Sequence, residues 1–349
     1  MKIILDINNL HEILRISGAK KVAITEYDTV IAENNNIQII GKLESYYVKE
    51  RGSTIIPKNI IALMPKVGEA VITENRISCG KRTITFEKNS ESISEIQVDN
   101  ILTVLPKKDM DFLSEVDYAI AKDETRPILS GIHFENSATC ALDSYRMSVR
   151  KSNALNINSE FTIPAEMIKI FKKIKSTENV EIASSKNYIK LRCGNISIIG
   201  KTLEGKFVNY KALIPSEFRT TISLNKTELF NVLKSYKDVR VVKLGIEKNA
   251  LITTANIEKV EKNRCSDKNK SKSKNNYRVI ATIKDKFKCH LKGEEPNIAF
   301  NALYLKEAIA MLDKEECKIK FNSCVTPAII SEEVEEGERI EIINPTRRY

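Results

Sequence analysis

One short pattern recurs along the chain: a β-prone stretch runs into a helix with an apolar stripe, and further strand-like segments follow. The clearest copy begins at Phe161–Ile163, where Pro164 opens a helix that is predicted to reach about Lys175. Proline suits the start of a helix, because its fixed φ is helical and its missing N–H would have no partner there. The same order returns at 54–86 and at 297–321. A pattern that repeats over such long intervals predicts an architecture built from similar units.

Weaker copies of the same opening raise the number of units to six. The predicted strand-then-helix openings fall near residues 3, 55, 104, 162, 222 and 299. A unit of one helix and several strands cannot cover both faces of its own sheet, so we expect the units to pair. The sequence therefore predicts an α+β fold with three tandem domains of two units each. Their predicted limits are 1–103, 104–217 and 218–349, the last with a Lys/Ser/Asn-rich basic loop at 262–276.

The composition narrows the function. Lysine and arginine number 56 against 46 acidic residues, and the formal net charge of +10 favours a polyanionic partner. No apolar run approaches the ~18 residues of a membrane span, and the first residues turn polar too soon for a signal peptide. We therefore expect a soluble, cytoplasmic protein. Seven cysteines without a C-x-x-C pair indicate reduced thiols and argue against a disulfide framework or a zinc site.

The uncovered faces of the predicted helices are rich in lysine. In the helix after Phe161, the apolar stripe runs from Met167 to Ile174, and lysines gather on the opposite face. The lysines on such faces include Lys169, Lys172 and Lys173 in that helix, and Lys234 and Lys237 in the helix after Asn225. Sparse ammonium groups without interleaved aromatic residues suit contact with phosphates rather than the reading of bases. A solvated helix face is the alternative for each lysine taken singly.

Five short motifs, taken in order, resemble those of a known family. They are Arg126–Ile132, Ala141–Met147, Gly205–Pro215, Phe300–Leu305 and Pro345–Tyr349. Together they resemble the bacterial β sliding clamp family, the β subunits of DNA polymerase III that act as its processivity factor. The resemblance implies a head-to-tail homodimer whose six domains close a ring around duplex DNA, with helices lining the inside and sheets outside. It implies a protein associated with the nucleoid and in need of no cofactor.

The resemblance also suggests further DNA-facing residues. The segment from Lys122 to Ile128 falls where the family touches DNA, which makes Lys122 and Arg126 candidates. The first domain lacks the family's Arg-Pro-type loop after its helix, and we expect Lys20 and Lys21 to serve instead. Loosely held charges that meet only phosphates would let such a ring slide without sequence specificity.

A second site implied by the resemblance is a pocket between the middle and third domains. In the family it captures short peptides of polymerases, the clamp loader and repair proteins. Carried over residue by residue, its walls are Leu129, Leu142, Ser144, Met147, Val208, Ala212, Leu213, Val325, Pro327, Asn344, Pro345, Thr346 and Arg347. An apolar cleft with a few polar groups at its rim is how extended peptides are held. Plain core is the alternative for the apolar members Leu129, Leu142, Met147 and Leu213.

The sequence offers no catalytic constellation. The three histidines stand apart from any serine, cysteine or aspartate at motif spacing, and no phosphate-binding G-x-x-x-x-G-K-[ST] loop occurs. The acidic run from Glu332 to Glu338 is typical of a solvated hairpin rather than a metal site. We predict a non-catalytic DNA sliding clamp that serves a DNA-directed DNA polymerase. Two alternatives stay open: a clamp-like docking platform that no longer closes a ring on DNA, and a metal-dependent nuclease.

Overall fold

The computed structural model divides the chain into two compact units. It describes residues 1–25, 29–34, 36–43, 46–88, 93–123, 125–247, 250–261 and 276–346. Unit 1 comprises Met1–Thr139 and Ser152–Phe207, and unit 2 comprises Cys140–Lys151 and Val208–Tyr349. The division into three domains at 103/104 and 217/218 stays a prediction, and most of the loop at 262–276 lies outside the described residues.

Helices and strands together form an α+β fold, as predicted. The helices are α1 (Ile7–Ser17), α2 (Lys58–Ala62), α3 (Lys107–Ser114), α4 (Ala165–Phe171), α5 (Lys226–Ser235) and α6 (Ala302–Ala310). Short 3-10 helices span Glu115–Ala119, Pro127–Leu129 and Tyr210–Leu213. The strands are β1 (Lys2–Asp6), β2 (Lys21–Ile24), β3 (Thr29–Asn34), β4 (Ile37–Lys42), β5 (Tyr46–Glu50), β6 (Thr54–Pro57), β7 (Glu69–Thr73), β8 (Arg76–Cys79), β9 (Arg82–Thr85), β10 (Asn100–Leu105), β11 (Gly131–Glu135), β12 (Ala138–Leu142), β13 (Arg146–Ser152), β14 (Phe161–Pro164), β15 (Val180–Ser185), β16 (Tyr188–Cys193), β17 (Ile196–Lys201), β18 (Thr220–Asn225), β19 (Val241–Glu247), β20 (Ala250–Glu261), β21 (Asn276–Lys292), β22 (Asn297–Asn301), β23 (Glu316–Phe321), β24 (Ala328–Val334) and β25 (Gly337–Ile343).

Each of the six helices in the described ranges starts within two residues of the end of a strand, which confirms the predicted openings. The strands that lead into α1–α6 are β1, β6, β10, β14, β18 and β22. Proline caps three of these helices, at Pro57, Pro106 and Pro164. The helix predicted to reach Lys175 is shorter, because α4 ends at Phe171 and the next residues turn more tightly, with Lys173 N donating to Ile170 O.

The other three helices have an aspartate or asparagine at the cap. Asp6 Oδ1 accepts a hydrogen bond from Asn8 N, and Asn225 Oδ1 accepts one from Glu228 N, both at 2.9 Å. Asn301 caps α6 in the same way. These side chains satisfy backbone N–H groups that have no partner inside the helix.

Two sheets account for most of unit 1. One has five strands in the order β5-β1-β7-β8-β9, and the other has eight in the order β10-β15-β16-β17-β4-β3-β2-β6. The eight-stranded sheet joins the two predicted domains of this unit through the antiparallel pair β4 and β17, in which Gly41 lies opposite Ile196 and Gly200 opposite Ile37. The two strands have the same sequence pattern, Ile-x-Ile-Ile-Gly-Lys.

The glycine in each of these strands lets a helix approach the sheet closely. A Cβ on Gly41 would overlap the side chain of Ile13 on α1, and a Cβ on Gly200 would overlap that of Met167 on α4. Interiors are packed without spare volume, so a side chain at either position would force Ile13 or Met167 to move. The sheet between the two predicted domains is therefore covered by equivalent helices in an equivalent way.

Unit 2 is built on one long sheet. Its strands run in the order β13-β25-β24-β23-β18-β21-β20-β19-β22. Leu229 and Leu233 of α5 and Leu305 of α6 belong to the core on one face, together with Leu251 and Phe287 of the sheet. Side chains alternate along a strand, and the neighbours of Phe287, Lys286 and Lys288, are exposed. These two lysines thus lie on the sheet face that α5 and α6 leave uncovered.

The acidic run forms a hairpin, but one of its carboxylates is not solvated. Strands β24 and β25 pair with Glu333 opposite Glu338. Glu332 is buried, pairs with Arg339 at 3.2 Å, and accepts hydrogen bonds from the backbone N–H of Asp313 and of Lys314. The expectation of a fully solvated hairpin was wrong at this position, because the carboxylate holds the chain that leaves α6.

A buried ion pair ties β13 to β25. Arg150 Nη1 lies 2.7 Å from Glu341 Oε1, and both side chains are fully inaccessible. One residue away, Lys151 and Glu338 form a pair between the same strands at 2.8 Å, but these two side chains remain largely in water. A charged side chain removed from water is stable only when it is paired with the opposite charge. The buried pair of Arg150 and Glu341 therefore constrains the register of the two strands.

Two simpler expectations concern cysteines and membranes. The six described cysteines are free thiols, and Cys265 lies outside the described residues. Across the described ranges, no helix combines the length and apolarity needed to span a membrane.

Gly131→Ala should destabilise unit 1 by about 1–3 kcal/mol, because the new Cβ would overlap the carbonyl oxygen of Ile163 on the paired strand β14. Gly245→Ala is the control, since the nearest atom to its new Cβ would be Pro296 O at 4.0 Å. Thermal and urea unfolding followed by circular dichroism measures both. Equal losses in the two variants would contradict the close approach at Gly131.

Arg150→Met should cost about 3–5 kcal/mol in the unfolding of unit 2, because it leaves the Glu341 carboxylate buried without its cation. Adding Glu341→Leu should restore most of that stability. Lys151→Met removes a charge from the neighbouring exposed pair and should cost less than about 1 kcal/mol. Additive losses in the double variant, measured by urea unfolding, would show that the buried pair is not coupled.

Candidate DNA-facing and peptide-binding surfaces

Lys169 on α4 and the two lysines just after it, Lys172 and Lys173, are exposed, yet two of the three are engaged within the protein. Lys172 Nζ lies 2.6 Å from Asp117 Oδ2. Lys173 Nζ donates to the carbonyl oxygen of Ile16 at 3.1 Å. Lys169 is exposed and has no hydrogen bond or ion pair with any residue of the described ranges. Of the three, Lys169 is therefore the ammonium group best placed for an outside ligand.

The C-terminal ends of α1 and α4 hold each other by charge. Arg15 Nη2 donates to the carbonyl oxygen of Lys173 at 3.4 Å, while Lys173 Nζ donates to that of Ile16. Each cation meets the carbonyl end of the other helix, where the helix dipole favours positive charge. A cleft of about 540 Å³ beside α1 is lined by Arg15, Lys66 and Lys175 among others. Arg15 and Lys175 were not among the predicted DNA-facing residues, although each comes directly after an apolar residue of a predicted helix.

Lys20 and Lys21 lie where the chain passes from α1 to β2. Lys20 is exposed and Lys21 is half-buried. The carbonyl oxygen of Lys20 accepts a hydrogen bond from Lys58 N at the start of α2, at 2.8 Å. The backbone of this turn is thus fixed by the second helix of the same predicted domain, and the Lys20 side chain extends from a rigid support.

Lys122 and Arg126 are exposed in the segment between two 3-10 helices. The acidic residue Asp123 lies between them in the sequence. Its Oδ1 accepts a hydrogen bond from Thr125 N at 2.9 Å. Hydrogen bonds from Thr125 lower the pKa of the Asp123 carboxyl, which stays charged at neutral pH. This segment carries both signs of charge, so its electrostatic attraction for a phosphate is weaker than that of the two cations alone.

In unit 2 the predicted DNA-facing lysines lie at the end of α5. Lys234 is in its last turn and Lys237 follows two residues after its end, and both are exposed. Lys226 at the start of the same helix donates to the carbonyl oxygen of Leu312, just beyond α6. The helix therefore uses its first lysine to hold its neighbour and leaves the later ones in solvent.

The turn before β13 and the chain after β25 meet in unit 2. Asp143 Oδ1 accepts hydrogen bonds from Tyr145 N at 2.7 Å and from Arg146 N at 2.9 Å, which closes the turn. Asn344 N donates to the Tyr145 carbonyl oxygen at 2.9 Å, and Asn344 Nδ2 donates to that of Ser144 at 3.3 Å. The structure thus brings together two predicted pocket residues, Ser144 and Asn344.

An aromatic and cationic cluster adjoins this turn. Arg146 pairs with Asp143 at 3.2 Å and with Glu307 of α6, and its guanidinium carbon lies 4.5 Å from the centre of the Tyr304 ring. Tyr145 stacks on Tyr304 with centroids 6.1 Å apart and is itself 60% exposed. Partial burial, followed by the charge of Asp143, raises the pKa of Tyr304, so its hydroxyl stays protonated. These side chains were not predicted as site residues, although Tyr145, Arg146 and Tyr304 lie inside motifs of the resemblance.

A cleft of about 490 Å³ lies in the same unit, lined by Glu217, Phe218, Arg219, Asn322, Ser323 and Thr326. Asn322 joins its two walls, because its side chain accepts from Arg219 N and donates to the Glu217 carbonyl oxygen, both at 2.9 Å. Val325 projects from the turn that forms one wall and is 58% exposed. An exposed valine on a fixed turn beside a polar cleft is a suitable anchor point for an apolar side chain of a partner.

The remaining predicted pocket residues divide by exposure. Leu129, Leu142 and Met147 are buried, as the plain-core alternative would have them. Val208, Ala212 and Leu213 are exposed, while Pro327, Pro345 and Thr346 are half-buried. Thr346 N donates to the Ala299 carbonyl oxygen at 2.8 Å, which fixes the chain end beside β22. Arg347 lies outside the described residues.

Comparisons with known proteins agree on one family. The model of the DNA polymerase III beta subunit central domain matches residues 104–209, and that of the C-terminal domain matches 267–345. Together these two models match more than half of the chain. The beta sliding clamp of Streptococcus pneumoniae serotype 4 is 28% identical over 312 residues, which cover 83% of this chain and 78% of that protein.

Solved structures have the same fold over the whole length. A DNA polymerase sliding clamp from Bacillus subtilis is similar with a TM-score of 0.81 and 19% identity, covering 100% of both chains. A sliding clamp from Bartonella birtlesii, bound to griselimycin, gives a TM-score of 0.82 with 18% identity and covers 100% of both chains. The chain therefore belongs to the DNA polymerase III beta subunit family, the family of the bacterial β sliding clamps.

Proposed function

We propose that this protein is a DNA sliding clamp, a processivity factor that encircles duplex DNA without sequence specificity and tethers a replicative DNA polymerase. The observation that carries the proposal is the sixfold strand-then-helix repeat with lysines on the uncovered faces of its helices. The family is one of non-catalytic processivity factors, so the protein is an accessory subunit and not an enzyme. It acts as a homodimer on DNA in the cytoplasm, and each chain contributes three domains, limited as predicted at 103/104 and 217/218.

The DNA-facing residues we propose are those whose ammonium or guanidinium groups remain in solvent. The set consists of six exposed residues: Lys169, Lys234, Lys237, Lys20, Lys122 and Arg126. Lys21, Lys172 and Lys173 belong to the same surfaces, but Lys172 and Lys173 already bind Asp117 and the end of α1. Exposed cations on long flexible stems attract phosphates without fixing a register, which is what movement along DNA requires.

The peptide-binding site we propose lies around the turn at 143–146, the cleft beside Val325 and the chain end at 344–346. Support comes from the fixed backbone of the turn, the exposed apolar side chains of Val208, Leu213 and Val325, and the cleft between 217–219 and 322–326. Short segments of the polymerase, the clamp loader and repair proteins are the proposed ligands. Leu142 and Met147, which are buried in unit 2, would form the floor beneath them, and Leu129 and Arg347 stay predicted members.

The protein-docking platform that does not close a ring is the second candidate function. The exposed apolar residues of unit 2 would serve it equally well, since peptide capture needs no DNA. A closed ring and an open platform differ in one measurable property, because only a ring is linked to DNA by topology.

Retention on circular DNA tests the proposed ring. The protein, loaded onto a nicked circular duplex by its clamp loader, should stay bound at a salt concentration that removes proteins held by charge alone. Cutting the circle once should release it within the time needed to slide off the ends. Gel filtration of the DNA-bound fraction measures both. Release from the intact circle at the same rate as from the cut DNA would contradict encirclement and leave the docking platform.

The charge contribution is tested on a linear duplex fragment. Lys234→Glu with Lys237→Glu should weaken binding equally for unrelated DNA sequences and lower the salt slope by roughly two. Lys286→Glu with Lys288→Glu reverses the same charge on the other sheet face of unit 2 and is the matched control. Equal losses in the two variants would show that net charge, and not the α5 surface, attracts the DNA.

Peptide capture is tested with fluorescent griselimycin as the probe. Val325→Asp and Leu213→Asp place a carboxylate on an exposed side chain, so the fold should survive while affinity falls at least tenfold, because the charge would be desolvated on binding. Ile280→Asp, also in unit 2 and also exposed, is the control and should bind normally. Unchanged fluorescence titrations for both Val325→Asp and Leu213→Asp would remove these residues from the site.

A further inference from the structure

Strands β11 and β14 place four polar side chains on one face of unit 1. The two strands are antiparallel, with His133 directly opposite Thr162 and Phe134 opposite Phe161. Continuing this register by one residue sets Glu135 opposite Glu160. Side chains two apart on a strand share a face, so the imidazole, the hydroxyl and the two carboxylates form one group.

The imidazole of His133 is held in a fixed orientation. Its side chain is only 5% exposed, and its ring stacks on Phe207 with centroids 4.2 Å apart and planes 2° from parallel. Nδ1 lies 3.1 Å from Thr162 Oγ1, within hydrogen-bond distance. The second ring nitrogen, Nε2, faces the two carboxylates. A histidine whose other nitrogen is hydrogen-bonded in this way has the support that metal-binding histidines usually have.

The distances around Nε2 are too long for direct hydrogen bonds and leave room for a small cation. Glu135 Oε2 and Glu160 Oε2 each lie 3.9 Å from Nε2, and all three atoms are within 4.8 Å of one another. Ligand atoms about 2.0–2.1 Å from a tetrahedral zinc ion are about 3.3 Å apart, so binding would draw each carboxylate oxygen about 0.6 Å closer to Nε2 and the two oxygens up to about 1.5 Å closer to each other. Two carboxylates opposite each other on paired strands repel, and a cation between them removes that repulsion.

We propose that His133, Glu135 and Glu160 bind a divalent transition-metal ion, and that the ion is zinc. One imidazole nitrogen with two carboxylate oxygens suits zinc better than magnesium or calcium, which prefer oxygen ligands alone. The three side chains leave a fourth position, which opens on a cavity of about 250 Å³ lined in part by His133 and Glu160. Water would occupy that position. Within the described part of the chain, no other three His, Cys or carboxylate side chains approach closely enough to share an ion.

The proposed ion has a structural role. Glu160 is 68% exposed and directly precedes β14, whereas His133 lies under Phe207 at the end of unit 1. Zinc bound by both would fix the start of β14 to β11 and lock the ring against which Phe207 packs. The residue after Phe207 is Val208, the first of the exposed residues proposed for peptide binding. The ion would therefore fix the residue that precedes Val208.

Titration with Co²⁺ and Zn²⁺ tests the site in the full-length protein. Co²⁺ should give the visible absorption bands of a four-coordinate site at one ion per chain, and Zn²⁺ should displace it and raise the unfolding temperature until EDTA is added. Glu160→Gln should bind both ions at least tenfold more weakly, and its exposed position keeps the fold intact. His133→Asn should abolish binding.

Two control variants address the other soft ligands. His290→Asn removes the histidine next to Cys289, and Cys324→Ser removes an exposed thiol. Both variants should bind Co²⁺ as the unaltered protein does. The proposal is overturned if the unaltered protein gives no four-coordinate cobalt spectrum, if Glu160→Gln binds with unchanged affinity, or if either control variant loses the ion.

Discussion

The fold depends on the need to bury both faces of each sheet, which the single helix of one unit cannot do. A strand-then-helix unit has one helix for a sheet with two faces, so it is stable only beside a second unit that extends the sheet and adds a helix. The antiparallel pairing of β4 with β17 meets this need inside unit 1. Gly41 and Gly200 permit it, since each leaves room for the helix of its own half to reach the shared sheet.

Charge at the helix ends completes the same arrangement. Arg15 and Lys173 join the C-terminal ends of α1 and α4 by hydrogen bonds to backbone carbonyl oxygens. Lys226 joins α5 to the chain after α6 in the same way. Some of the lysines that give this protein its basic character are thus structural. Others, among them Lys169, Lys234 and Lys237, are exposed, and under the proposed function these would contact the phosphates of DNA.

Unit 2 shows how the proposed peptide-binding surface is fixed by interactions below it. The buried pair Arg150 and Glu341 sets β13 beside β25, and this pairing brings Ser144 to Asn344. Arg146 then links the turn to Glu307 and Tyr304 of α6. The exposed apolar side chains of the proposed site therefore rest on a hydrogen-bonded backbone, which would lower the entropy cost of binding a peptide.

The sequence by itself determined the α+β class, all six strand-then-helix openings and the apolar stripe from Met167 to Ile174, because these follow from local periodicity. The five motifs between residues 126 and 349, taken in order, also indicated the family. Only the tertiary structure decided that Lys172 and Lys173 are engaged, that Glu332 is buried, and that Met147 lies beneath the surface. The group of His133, Glu135 and Glu160 was also invisible in the sequence, since 27 positions of chain separate residues that strand pairing places side by side. Periodicity fixes which way a side chain points within its own element, whereas its partners depend on which distant strand or helix is packed against it.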